Sequence, residues 1–277
     1  MINFEKLYEE EHIKNRLSYK QIEAKYNIPR GTWDYYIRRK LHLSYDGRKH
    51  VPNDTFFDCI DSEEKAYLLG YLYADGYIAN DGRMGIRLAN KDECIIRLIK
   101  QHICPQSPIE YTNNQNIHRM PQVSIRWKSE HMYKRLKELG FCIDKTHTNS
   151  NIFQHIPDNL KCDFIRGYCD GDGSIIFNKC KSKNYYKTAV TFSNGCKQIL
   201  QDISDYFKPY IGDGNIKHPK NYYTLGYETA WGAYYVASKL YKNASIYLER
   251  KRNKALSIIE YRSNTELTGN YKRFPAV

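Results

Sequence analysis

Residues 68–78 read LLGYLYADGYI, and residues 165–175 read IRGYCDGDGSI. Five of the eleven positions are identical at a constant offset of 97: Gly70 with Gly167, Tyr71 with Tyr168, Asp75 with Asp172, Gly76 with Gly173 and Ile78 with Ile175. Ordinary residue usage predicts about one. The likeness continues at an offset of 104, where IRLAN (86–90) matches VTFSN (190–194) and Trp127 matches Trp231. The seven extra residues fit a longer basic hairpin around KCKSKNYYK in the second half. One shared order with one loop-sized insertion marks a duplicated domain.

Each half reads as helix, strand, strand, helix, strand, strand, helix. In the first, SEEKAYLLGYLYA is a helix with Ser62 as its cap and Glu63 and Glu64 in its first turn. Strands are expected near 77–80 and 84–89, joined by the turn Asn80-Asp81-Gly82. The amphipathic DECIIRLIKQHI follows, then strands near 108–112 and 121–127, then SEHMYKRLKELG, stopped by Gly140. The second half supplies FIRGYCD, IIFN, TAVTFSN, KQILQDISDYF, GNIKH, YTLGYET and AYYVASKLY in the same order, and IYLERKRNKALSIIEYR reads as a last helix.

The repeated stretch has its own chemistry. Gly70 and Ala74 are four apart and share a helix face, as do Gly167 and Gly171. Small residues at that spacing let two helix backbones approach closely. Set side by side, the helices bring Asp75 and Asp172 together at their C-terminal ends, where the carboxylates and helix dipoles repel one another. A divalent cation relieves that repulsion. Oxygen-only ligation suits Mg²⁺, with Mn²⁺ able to substitute. Under a basic surface, such a site suits phosphodiester hydrolysis.

The composition agrees. The chain has 277 residues, 43 Lys+Arg against 31 Asp+Glu and a formal net charge of +12, a surplus that suits a polyanion partner. With 41% hydrophobic residues it can bury a core. No apolar run reaches the roughly 18 residues of a membrane span. MINFEKLYEEEH lacks the pattern of a signal peptide, so an intracellular setting is expected, in the cytoplasm, the nucleoid or an organellar matrix. The eight cysteines form no Cys-x-x-Cys, which argues against a zinc site.

Residues 1–43 read as a separate helical domain. Ser18 caps a helix carrying Ile22 and Tyr26, Asn27-Ile28-Pro29 breaks it, and Trp33, Tyr36, Ile37 and Leu41 recur at helical spacing. Two short helices with Ile28 buried in their turn resemble a helix-turn-helix, although Glu23 stands where such a unit wants a small residue. Its second helix would offer Arg30, Thr32, Tyr35 and Arg38 to a DNA groove. Residues 44–58 read as a linker made basic by Arg48 and Lys49, residues 59–150 as the first repeat and 151–277 as the second.

LLGYLYADG (68–76) and IRGYCDGDG (165–173) resemble the two signature motifs of the LAGLIDADG homing endonucleases, in their single-chain form. The resemblance covers roughly residues 60–262. It implies an α+β fold of two αββαββα repeats related by a pseudo-twofold axis, their sheets forming a saddle on double-stranded DNA. It implies a monomer that cuts both strands at a long site, leaving short 3′ overhangs. Carried over, the metal-binding acids are Asp75 and Asp172, assisted by the carbonyls of Ala74 and Gly171. The expected DNA contacts are Arg83, Arg87, Arg126, Lys179, Lys181, Lys183, Lys187 and Thr191. The family also places a lysine near the metal. Lys128 is the first-half candidate; its counterpart at the 104 offset is Gly232, so the second half would either cut more slowly or use another group such as Lys251.

The motifs are unequal, with Tyr73 in one where Asp170 stands in the other, and Asp170 is expected to point into the helix seam or cap it. Two other functions stay open on this fold: an RNA maturase and a sequence-specific DNA-binding regulator without catalysis. Retention of both Asp75 and Asp172 favours the nuclease.

Overall fold

A computed structural model of the chain describes residues 2–15, 17–43, 51–112, 120–141, 151–181 and 185–264. Lys183, Arg48 and Lys49 lie outside the described residues. The chain divides into two units, Met1–Val51 and Pro52–Val277.

The first unit is helical. α1 (Phe4–Leu7) runs on with π-helical winding through Tyr8–Lys14, α2 spans Tyr19–Tyr26, and α3 (Arg30–Asp34) runs on in the same winding through Tyr35–Lys40. Tyr8, Ile22, Ile28, Trp33 and Ile37 form its core. Burying each of the larger side chains contributes about 1.5–3 kcal/mol. The backbone amide of Ser18 donates to Gln21 Oε1 at 2.8 Å, and Asn27 leaves α2 in the left-handed conformation, φ 52°. Asparagine tolerates that geometry better than most residues. Glu23 is exposed and leaves the packed face to Ile22.

The second unit holds the two repeats. The first is α4 (Glu63–Asp75), β1 (Gly76–Ile78), β2 (Arg83–Ala89), α5 (Glu93–His102), β3 (Glu110–Thr112), β4 (Gln122–Lys128) and α6 (Glu130–Glu138). The second is α7 (Lys161–Asp172), β5 (Ser174–Lys179), β6 (Tyr186–Asn194), α8 (Lys197–Ile211), β7 (Asn215–Lys217), β8 (Tyr223–Tyr227) and α9 (Ala230–Tyr241). α10 (Glu249–Asn264) follows and packs on α9 and β5. Each repeat forms a four-stranded antiparallel sheet, ordered β1-β2-β4-β3 and β5-β6-β8-β7. One continuous core runs through both repeats. No described helix is long and apolar enough to cross a membrane.

Alternation assigns the faces of the first sheet. Met84, Ile86, Leu88, Val123, Ile125 and Trp127 are buried, whereas Arg83, Arg87, Arg126 and Lys128 are exposed on the opposite face. α5 covers the buried side of β2 and β4, and α8 covers that of β6 and β8.

Three expectations need correction. Residues 51–58 are no linker: Phe56 and Phe57 are buried in the core, and Arg135 donates to the carbonyls of Phe57 and Asp58 at 3.1 Å. Two aromatics in a short polar stretch outweigh its Pro and Asn signals. The 104 offset also fails within the sheets. Tyr77 pairs with Gly85, but the equivalent Ser174 pairs with Thr191, which moves the second strand by two residues. Ile125 faces Ile86 as Leu225 faces Phe192, so Trp127 corresponds to Tyr227, and Trp231 belongs to α9. By the same register Lys128 corresponds to Glu228, not Gly232. An even slip leaves every side chain on its own face, so the hydrophobic pattern does not reveal it.

Candidate functional site

α4 and α7 meet backbone to backbone. A Cβ on Gly70 would lie 2.1 Å from the Phe164 carbonyl oxygen, and one on Gly167 would lie 2.0 Å from that of Tyr67. One turn further, a Cβ on Gly171 would lie 2.4 Å from the Ala74 methyl. No larger residue fits these rows. Both helices leave the seam through glycine: the Gly76 N–H bonds the Leu72 carbonyl and the Gly173 N–H that of Cys169. Neither glycine has positive φ. They are needed because a Cβ would strike those carbonyl oxygens at 2.6 and 2.5 Å.

This geometry sets the acids. Asp75 and Asp172 are the last residues of α4 and α7, and both are exposed. Asp75 leans over the seam, with its Oδ2 3.3 Å from the position of a Gly171 Cβ. Two exposed carboxylates at adjacent negative helix ends form an all-oxygen environment that fits a hard divalent cation. Among the described residues, no group of three or more His, Cys, Asp or Glu could hold a metal. Any ion here would therefore rely on this pair, on backbone carbonyls, and on water or substrate oxygen.

Asp170 takes no part in that environment. It is fully buried and accepts hydrogen bonds from Tyr67 (2.8 Å), Tyr241 (2.7 Å) and the Leu248 backbone amide (2.7 Å). Burial pushes its carboxyl above the usual range, against the pull of those donors. Its counterpart Tyr73 packs edge-on against Phe141, with ring centroids 5.4 Å apart. The inequivalent position thus holds a carboxylate in one motif and an aromatic filler in the other.

No family model matches the chain. It is 23% identical over 265 residues to the uncharacterized protein MJ0398 of Methanocaldococcus jannaschii, covering 89% of this chain and 90% of that one. The structure superposes on the LAGLIDADG homing endonuclease I-GzeII in complex with its DNA target at a TM-score of 0.50 and 14% identity, covering 74% of this chain and 93% of that one. It matches the LAGLIDADG meganuclease I-AabMI bound to uncleaved DNA at a TM-score of 0.50 and 13% identity, covering 72% and 91%. The chain has the LAGLIDADG fold.

On that fold, the sheet faces opposite the helices are the surfaces left open. In the first sheet, register puts Arg83 directly opposite Lys128 and Arg126 opposite Gly85, with Arg87 on the same face. Arg83 pairs with Asp81 and Arg126 with Glu110, each at 2.6 Å. In the second sheet, Lys187 and Thr191 share the open face. Lys179 does not: it pairs with Tyr186 and lies on the side of Phe177 and Thr188, where α10 packs through Tyr261 and Arg262. Lys181 is exposed just beyond β5. In the helical unit Arg30, Thr32, Tyr35 and Arg38 are exposed, and Asp34 lies within 3.8 Å of both arginines.

The two candidate lysines sit in very different places. Lys128 lies by the β1–β2 turn, three residues along the sheet from the row of Gly76, about 10 Å, and its charge acts on Asp81. Lys251 is buried against the LAGLIDADG helix α7. Its ammonium donates to the carbonyls of Cys169 (2.7 Å), Asp170 (2.7 Å), Gly173 (2.8 Å) and Gly171 (3.2 Å). Burial lowers its pKa, opposed by the neighbouring Cys169 thiol and the Asp170 and Asp75 carboxylates.

Sequence reasoning missed the strap that carries Lys251. Glu63, at the start of α4, accepts from Arg166, from Ser245 and from the Ile246 amide. Arg250 makes a two-pronged bond to buried Asp92, 2.8 Å on each side. Residues 245–251 thus run from the start of α4 along α7 to its C-terminal end. The only hint in the sequence is a run of charge, ERKRNK, in a helix that must also pack.

Proposed function

We propose that this chain is a site-specific, divalent-metal-dependent DNA endonuclease that cleaves both strands of a long target and leaves short 3′ overhangs. The observation that carries the reading is the pair of exposed carboxylates, Asp75 and Asp172, ending two helices in backbone contact. A structural cap needs neither the matched pair nor a seam this close. Mg²⁺, or Mn²⁺ in its place, suits the donors, held by the two acids with the carbonyl of Ala74 as a further candidate. When bound, the ion activates water and stabilises the leaving oxygen. Tyr71, fully buried beneath the seam, stays a neutral phenol because burial and the Asp75 charge raise its pKa far above the ordinary value.

Duplex DNA is the partner this reading requires, and the DNA complexes of the two solved LAGLIDADG proteins support it. Arg83, Arg87, Arg126, Lys128, Lys187 and Thr191 would line the duplex, and Arg30, Thr32, Tyr35 and Arg38 would extend the contact as a helix-turn-helix reader. Two repeats in one chain supply the symmetry of a dimer, so a monomer suffices. A binding-only regulator, or a maturase, is favoured by one observation: Lys251, the lysine beside the acids, is spent on backbone carbonyls.

The test is cleavage of a library built from the DNA flanking this gene, joined as if the gene were removed. Wild type is compared with Asp75→Asn and Asp172→Asn, in Mg²⁺ and then Ca²⁺. Cutting by wild type alone, with binding but little cutting in Ca²⁺, supports the nuclease. Tight specific binding without cutting by any form overturns it for the regulator.

A further inference from the structure

Four carbonyl oxygens surround one ammonium at the C-terminal end of α7, at 2.7–3.2 Å. An ammonium has only three protons, so at least one is shared, and the oxygens form a basket of the kind that would hold a bare cation. The last carbonyls of a helix carry partial negative charge, and a carbonyl oxygen keeps a second lone pair even where, as at Cys169, it already accepts the Gly173 N–H, which is why a buried cation is tolerated there. Two further contacts hold Lys251 in place: Arg250 is clamped to Asp92 on one side, and the Leu248 amide is bonded to Asp170 on the other.

From this geometry we propose that Lys251 is the resident cation of the second motif: its ammonium fills the carbonyl end of α7 and keeps a divalent ion off the Gly171 oxygen, so that α7 offers a metal only the Asp172 carboxylate. The inference rests on the metal-binding reading of the acid pair. It revises the sequence-derived ligand set at Gly171, because an ammonium 3.2 Å from that oxygen repels any second cation placed on it. It also assigns Lys251 a role as a positioning residue, holding the α7 terminus in shape without a metal.

The test is Mn²⁺ binding to the full-length protein, followed by loss of the free-ion electron paramagnetic resonance signal. Wild type is compared with Lys251→Met, Lys251→Ala and Asp172→Asn. The expected result is one additional Mn²⁺ per chain in both Lys251 variants, and loss of the wild-type ion in Asp172→Asn. Equal Mn²⁺ counts in wild type and the Lys251 variants overturn the inference while leaving the acid pair intact. No Mn²⁺ bound by any form overturns both the inference and the metal reading of the acid pair. Should the Lys251 variants not fold, the wild-type ammonium is read directly by nitrogen-15 correlation of its Nζ protons. A protected signal that persists unshifted at saturating Mg²⁺ is expected; displacement of that signal by Mg²⁺ overturns the proposal.

Discussion

The methyl group of Ala74 occupies the space that a side chain on Gly171 would need: a Cβ there would lie 2.4 Å from it. One helix supplies the knob and the other the hole. Gly171→Ala should therefore cost about 1–3 kcal/mol through overpacking, and adding Ala74→Gly should recover most of that loss. Denaturant unfolding of the two single variants and the double variant measures it. A double variant no more stable than Gly171→Ala alone would show that the row is not a knob-and-hole pair.

The row above is stricter. At Gly70 and Gly167 the obstacle is a carbonyl oxygen at 2.1 or 2.0 Å, which cannot rotate away like a side chain. Gly70→Ala and Gly167→Ala should each force the helices apart and leave little folded protein. Gly31, in α3 of the helical unit, has nothing within 4 Å and an ordinary helical backbone, so Gly31→Ala should be neutral or stabilise by up to about 1 kcal/mol. Thermal melts of the three variants side by side make the contrast.

Asp170 and Asp75 should respond oppositely to loss of charge. Asp170→Ala leaves two tyrosine hydroxyls and the Leu248 amide without their acceptor, at about 1–3 kcal/mol for each group left unsatisfied. Stability should drop sharply. Asp75→Asn and Asp172→Asn remove a negative charge from a helix C-terminus and should gain about 0.3–1 kcal/mol. Their cleavage rates should fall by roughly a thousandfold or more, reflecting several kcal/mol of lost transition-state stabilisation. Paired unfolding and cleavage assays would reveal this division, and an acid-pair variant that loses both activity and stability would contradict it.

The open face of the first sheet should control affinity without controlling chemistry. Replacing Arg87 by Gln should weaken DNA binding and reduce the dependence of log affinity on log salt by about one phosphate contact, while Mn²⁺ binding stays unchanged. Lys179→Gln, on the opposite face of its own sheet, should leave the salt dependence nearly as in wild type. Fluorescence anisotropy across a salt series separates the two.

In the helical unit, Glu11 is almost buried and accepts from Lys25 at 2.8 Å and from the Tyr26 hydroxyl. These hydrogen bonds hold its carboxyl down at about 2, below the ordinary value of 4.5. A depressed carboxyl favours the folded state above its unfolded pKa, and that contribution is lost as pH falls through the folded value. The link from Glu11 to α2 should hold intact at pH 5 and weaken progressively from about 4.5 down to about 2. Carboxyl-detected NMR titration checks the midpoint, and Lys25→Met should move it upward.

Much of this protein was legible in the chain because its decisive features are local. The repeat, the order of elements and the helix seam all follow from residue spacing on a helix or strand. Gly70, Ala74, Gly167 and Gly171 mark the seam by size alone. The alternation of Met84, Ile86 and Leu88 with Arg83 and Arg87 defines the two sheet faces.

What spacing does not encode is which distant groups meet. The two-residue slip between the repeats preserves every face and leaves the hydrophobic pattern unchanged. Phe56 and Phe57 looked like part of a linker because only the packed core shows where they go. Asp170 and Asp172 sit two residues apart in a nearly identical setting, yet one is sealed beneath Tyr67 and Tyr241 while the other faces solvent. The duplicated α+β fold, the two motif acids and the small-residue seam could all be read from residue spacing along the chain. That Lys251 crosses from the last helix to fill the carbonyl end of α7 could be seen only in the folded molecule, because a long-range hydrogen bond depends on the return path of the whole chain.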